Sequence, residues 1–243
     1  MGGGVGSNIV AGGGKPQGDY VDNLFSTQTY LGNGNTTRQF TSGLDLSTHG
    51  GLVWFKNRSQ NWDGMLIDSA RGLTNHLKIP SANAQENGQN AKIQSFNTNG
   101  YTIEPCASTN VQNENGNEIV AWSWRKATGF FDIVTYTGNS TGGTTHNHNL
   151  GAVPKFMVVK RYAGGIEDWI CYHVSKGNNY GVDLGTSSQG WQTSAYWNDT
   201  TPTSTQFTLG SHARCNGSGT DYVCYLFGDE AIYGDGADNQ VAK

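Results

Sequence analysis

The sequence predicts an all-β protein of two tandem antiparallel β-sandwich modules behind a glycine-rich N-terminal arm. Three observations lead there: short apolar segments, dense turn signals between them, and an internal repeat. The segments "LVWFK", "MLID", "IVAWSW", "FDIVTY", "KFMVVK", "DWICYH" and "YVCYLF" are rich in the β-branched and aromatic residues that suit a pleated, packed surface. "NGN", "GNS" and "NGSG" punctuate the chain with residues that tolerate turn conformations. No amphipathic helix of useful length can be drawn. Charged residues are only 14%, which suits a chain of many short strands and turns. An aromatic content of 11%, with seven Trp, excludes a disordered acidic chain.

The repeat sets the domain organisation. "LFSTQTYLGNGNTT" (24–37) matches "FFDIVTYTGNSTGG" (130–143), with Tyr30 over Tyr136 and Gly32-Asn33 over Gly138-Asn139. "GLVWFKNRS" (51–59) matches "KFMVVKRYA" (155–163), with Lys56 over Lys160. "DGMLIDSARG" (63–72) matches "DWICYHVSKG" (168–177), and the block at 101–124 matches that at 207–227. The blocks keep their order at a spacing of roughly 105 residues, the signature of a duplicated unit. The expected division is an arm at 1–24, modules at 25–129 and 130–230, and a tail at 231–243. By period two, Val120, Trp122 and Trp124 share one face, as do Val223, Tyr225 and Phe227, and both sets read as core. Arm and tail read as docking segments that gain order on assembly.

Several function classes fall away. A net charge of −4 gives no electrostatic case for nucleic acid or an anionic membrane. No apolar run approaches the ~20 residues of a membrane helix, and the start lacks the basic and apolar regions of a signal peptide. Synthesis in a cytoplasm is expected. The four cysteines show no CxxC pairing; Cys171 and Cys224 read as small buried hydrophobes, while Cys106 and Cys215 sit in loop-like stretches.

The run "GGTTHNHNLGAVPKFMVVKR" (142–161) holds His146 and His148 and raises the question of a metal. With His173 and His212 they could converge, but a metal needs three or four ligands and their spacing demands none. A His-Asn-Leu-Gly turn entering a strand through Pro154 is the simpler reading. Asp63, Asp168 and Asp221 offer oxygens for Ca²⁺ without a regular loop spacing. No nucleophile elbow, zinc-protease helix or phosphate loop occurs. The chain thus reads as a non-enzyme, with no catalytic residues, cofactor or metal.

The ligand-binding candidates are aromatic. Trp191, Tyr196 and Trp197 lie in "SQGWQTSAYWNDTTP" and Trp62 in "SQNWDG", beside Asn, Gln and Asp. A ring that stacks on a pyranose beside amides that bond its hydroxyls is how sugars are held. The alternative is that these rings cap the core or form a subunit interface.

The stretch "YTGN…HNLGAVPKFMVVKR…DWICYH", followed by "TSAYWNDTTPTSTQFTLGS…NGSGTDYVCYLF", resembles a repeat of structural proteins in marine tailed phages of cyanophage and pelagiphage type. The upstream "FSTQTYLGNG…GLDLSTHGGLVWFKNRS…LIDSARG…FNTNGYTI" resembles the companion module that precedes it, so the likeness covers about 22–230. The layout of the first module also resembles jelly-roll and concanavalin-like sandwiches. The resemblance implies a virion structural protein on the particle surface, of tail-fibre type, or a capsid decoration or head-fibre protein. It implies other virion proteins as partners, a homo-oligomer with a trimer favoured, and contact with a host-surface glycan. It carries over no catalytic residues. Nucleic-acid binding and membrane insertion are not expected.

Overall fold

The computed structural model describes residues 21–106, 109–185 and 190–229. Most of the predicted arm and the predicted tail lie outside the described residues. The fold is all-β and antiparallel, as predicted. In the first half the strands are β1 (Phe25–Leu31), β2 (Arg38–Thr41), β3 (Gly51–Asn57), β4 (Gly64–Asp68), β5 (Asn75–Ile79), β6 (Glu86–Asn87), β7 (Ile93–Asn97), β8 (Gly100–Ile103) and β9 (Glu118–Arg125). In the second they are β10 (Phe131–Thr137), β11 (Thr144–Asn147), β12 (Phe156–Ala163), β13 (Ile170–His173), β14 (Tyr180–Asp183), β15 (Trp191–Gln192), β16 (Gln206–Leu209) and β17 (Asp221–Phe227). Three single-turn helices interrupt them: α1 (Leu46–His49), α2 (Ser194–Trp197) and α3 (Ala213–Asn216).

Strand pairing stays within each half. A six-stranded sheet of order β1-β9-β3-β4-β5-β6 faces a small sheet β2-β8-β7; its partner half has β10-β17-β12-β13-β14-β15 and the pair β11-β16. The two large sheets thus share one strand order. Alternate side chains explain the layers. Val53, Phe55, Met65, Ile67 and Ala121 point toward the small sheet, where Phe40, Ile93, Tyr101 and Ile103 close the core. Met157, Val159, Ile170, Tyr172, Cys224 and Leu226 do the same against Phe207, Leu209 and Trp197.

The other set of side chains adds a further core, shared by the two predicted sandwiches. Leu52, Leu66, Leu77 and Ile79 meet Phe131, Ile133, Val158, Cys171, Val223 and Tyr225 in a third core. The large sheets therefore pack back to back, and the layers run small, large, large, small. Trp124, Val223, Tyr225 and Phe227 serve this shared core and not the interior of their own module; Trp124 and Phe227 meet edge to face at 6.4 Å. Burial on both faces is why "YVCYLF" runs apolar without a break, as strands covered on both sides do.

Polar groups tie the two halves. Arg71 and Asp68 form a fully buried ion pair at 2.7 Å, and the Tyr225 hydroxyl of the second half donates to Asp68 Oδ2 at 2.8 Å. Lys160 is buried with its ammonium donating to the carbonyls of Glu167 at 2.6 Å and, across the junction, Ala82 at 2.7 Å. Burial pulls its pKa down to about 8. Trp169 Nε1 donates to Ser81 O at 2.9 Å.

The repeated Tyr-x-Gly-Asn has a structural explanation. The Tyr30 hydroxyl donates to Gln112 O and the Tyr136 hydroxyl to Cys215 O. The amide of Asn33 donates to the Asn113 side chain and that of Asn139 to the Asn216 side chain, at 3.2 and 2.9 Å. A Cβ at Gly32 would lie 1.9 Å from Glu114 O, and one at Gly138 would lie 2.3 Å from Gly217 O, so the close backbone approach needs glycine in both places.

Candidate functional site

His148, His173 and His212 behave as turn residues, whereas His146 lies in strand β11 and departs from the predicted turn. His148, His173 and His212 each accept, through Nδ1, the backbone N–H two residues ahead, from Leu150, Ser175 and Arg214. This is the local side-chain turn that Asx residues make, with an imidazole in place of a carboxylate or amide. An Nδ1 that accepts fixes the neutral tautomer, and His148 Nε2 then donates to Thr203 O at 3.2 Å. His146 packs its ring on Tyr136 at 4.2 Å. Burial lowers the pKa of His146, His148 and His212. Among the described residues no three His, Cys, Asp or Glu side chains gather as a metal site would require. Asp221 accepts from Thr137 Oγ1, and Asp168 faces Arg214, so the acidic trio of the sequence stays apart. All four cysteines are free and buried.

The structure separates the four aromatic candidates. Tyr196 and Trp197 sit on α2 with their rings in the second core, Trp197 fully enclosed, so for this pair the ligand-binding expectation is corrected and the core-capping alternative holds. Thr193 caps this turn by accepting from Ala195 N, which drives the pair inward. Trp191 is 42% exposed, with the Arg214 guanidinium over its ring at 4.9 Å. Trp62 is half-buried in the loop between β3 and β4, in the other half of the molecule.

Trp62 lines a pocket of about 290 Å³. Asn61 and Asp63 flank it, Lys78 enters from β5, Asn90 and Thr109 come from loops, and Met65 and Val111 give the apolar floor. The loop is held by Lys56, whose ammonium donates to Trp62 O. Glu86 organises the polar wall: it accepts from Lys78 Nζ at 2.6 Å and from Asn90 Nδ2 at 3.1 Å. Behind it His76 is fully buried, with Nε2 3.6 Å from Glu86 Oε2. Desolvation brings the His76 pKa down to about 4, so the ring is neutral at pH 7 and the Glu86 charge is balanced by Lys78. The sequence named Trp62, Asn61 and Asp63 together; Lys78, Asn90 and Val111 come from remote segments that no spacing rule joins.

The second half has the same location and fills it. Met65 pairs with Phe55 and Lys78 in the first half; Ile170 pairs with Val159 and Asp183 in the second. Lys56 holds the carbonyl of Trp62, and Lys160 that of Glu167. Val111 stands two residues before Asn113, and Arg214 two before Asn216. So Trp62, Asp63, Lys78 and Val111 correspond to Glu167, Asp168, Asp183 and Arg214. Arg214 closes the space by reaching Asp183 at 2.6 Å, Asp168 at 3.3 Å and Glu167 at 3.8 Å.

A larger cleft of about 660 Å³ lies where the chain passes between halves. Most of its charged groups are already partnered: Lys126 meets Asp132 at 2.8 Å, Asp132 Oδ2 accepts from Asn149 N, Arg125 Nε donates to Asn23 O, and Asp45 accepts from Thr48 N. Its aromatic neighbour Phe131 is buried in the core. The smaller pocket combines an indole, amides and an unfilled floor, and size alone does not outweigh that.

A family model for a domain of unknown function, DUF7483, matches residues 20–235, and the chain belongs to that family. The match spans both halves as one unit. Searches of curated proteins and of solved structures find no match. No helix among the described residues is long and apolar enough to cross a membrane.

Proposed function

We propose that this DUF7483 protein is a structural component of a phage particle surface, of tail or fibre type, that meets host-surface glycans through the Trp62 pocket. The observation that carries the virion role is the ordered likeness of the blocks in 22–230 to marine tailed-phage structural repeats. The pocket carries the glycan contact, since an indole beside amides and a charged wall is the chemistry that holds a sugar. The role is building and binding, without a catalytic step. Four buried free thiols fit synthesis in a reducing host cytoplasm. A trimer is the assembly this class of appendage favours; light scattering that gives a clean monomer at high concentration removes it.

Immunogold labelling of purified particles with antibody against the chain tests the reading. Gold at the tail or fibres is the expected result. Gold over the head replaces it with a capsid decoration role, and particles without gold overturn the virion assignment.

A further inference from the structure

We infer that the Trp62 pocket takes a single neutral hexopyranose unit and discriminates against acidic sugars, with Trp62 as the stacking ring and Asp63 as the excluding charge. This rests on the glycan-contact reading above and narrows it to a ligand class. The volume, about 290 Å³, lies just below the ~300–1,000 Å³ usual for ligand sites and suits one monosaccharide. The Asn61 amide and the Lys78 ammonium supply bonding groups for hydroxyls beside the ring.

The charge pattern selects among sugars. Lys78 is neutralised by Glu86 at 2.6 Å, so it offers hydrogen bonds without a net positive field. Asp63 has no ion-pair partner among the described residues and lines the same pocket, and it would face the carboxylate of a uronic or sialic acid. A carboxylate accepts from two hydroxyls, which a neutral pyranose provides and a second carboxylate does not. The filled counterpart shows that the fold does not require a hole here. Arg214 occupies the matching space in the second half, whereas Val111 leaves the first half open.

The test uses the whole chain and paired probes that differ only at C6. Saturation-transfer NMR and calorimetry are run with methyl glucoside, galactoside and mannoside, and with the methyl glucuronide and galacturonide. The expected result is binding of a neutral glycoside, with its uronide about tenfold weaker. Trp62→Ala abolishes binding, Trp62→Phe keeps part of it and shows that the loss is not unfolding, and Asp63→Asn narrows the neutral-to-acidic ratio. If uronides bind as well or better and Trp62→Ala still removes them, the glycan reading stands and this inference falls. If neutral glycosides bind equally to the Trp62→Ala variant, the pocket is not the site. If no glycoside binds and a broad glycan array is also blank, both readings fall.

Discussion

In the first half Lys78 on the wall and Val111 on the floor leave a pocket open; at the matching places of the second half Asp183 and Arg214 close on each other at 2.6 Å. The frame around them is the same: equal strand order, a lysine that holds the loop carbonyl, and an asparagine that caps the Gly-Asn turn. Where Trp62 flanks the first site, Glu167 stands in the second, adding a carboxylate for the arginine. A binding site can therefore be opened or sealed on one scaffold by a few side chains, while the backbone stays as it is. The seal depends on charge, the opening on its removal.

Breaking the seal gives the largest expected effect. Arg214→Ala leaves Asp183, with a side chain only 4% exposed, next to Asp168 and Glu167 without their cation. Removing one member of a buried pair costs about 3–5 kcal/mol; the partial exposure of Arg214 places this case near 3. Lys78→Ala, from the more exposed pair with Glu86, should cost about 1 kcal/mol or less. Urea unfolding of both variants measures the contrast, and equal losses would erase it.

A second contrast is in pH. Two residues before Lys78 stands His76; two before Asp183 stands Gly181, where the Tyr196 ring fills the space a Cβ would take. The folded pKa of His76 is depressed to about 4 from 6.5. Its contribution is therefore intact above pH 6.5 and is lost as pH falls toward 4, because the unfolded chain takes up the proton first. The full shift corresponds to a loss of about 3 kcal/mol. Urea midpoints at pH 7, 5.5 and 4 should fall for the parent chain and fall less for His76→Gln.

Porting the seal sharpens the comparison directly. Lys78→Asp with Val111→Arg should close the first-half pocket and abolish glycoside binding, at a stability cost of about 1–2 kcal/mol for imperfect repacking. Retained binding in the folded double variant would dissolve the correspondence between the two sites. The smallest effect is expected from Trp191→Ala: the stacked guanidinium keeps its carboxylates, so the loss is about 0.5–1 kcal/mol with glycoside binding unchanged.

Much of the fold was legible because its cause is local. Strand segments, turns and the repeated Tyr-x-Gly-Asn announce themselves in composition and period, and so does the absence of helix signals. The back-to-back packing was less legible: Val223, Tyr225 and Phe227 look like core by alternation, but period two does not say which of two cores a face will meet. Tyr196 and Trp197 misled because polar neighbours suggested a loop, while a capped single turn pulled the rings inside. At the site, Asn61-Trp62-Asp63 could be read as one cluster. Val111 could not, since its meaning lies in being smaller than Arg214, which only the shared frame reveals.

Each large sheet ends in a strand of two residues, Glu86–Asn87 on one side and Trp191–Gln192 on the other. So short a rung offers an incoming strand almost no ladder to extend. The opposite margins, Phe25–Leu31 and Phe131–Thr137, are seven residues long. Among the described residues, growth of these sheets by strand addition is thereby polarised, blunted at one border and longer at the other, where only Ala127 bridges to Phe131 of β10, so copies joined in that way would meet along β1 or β10.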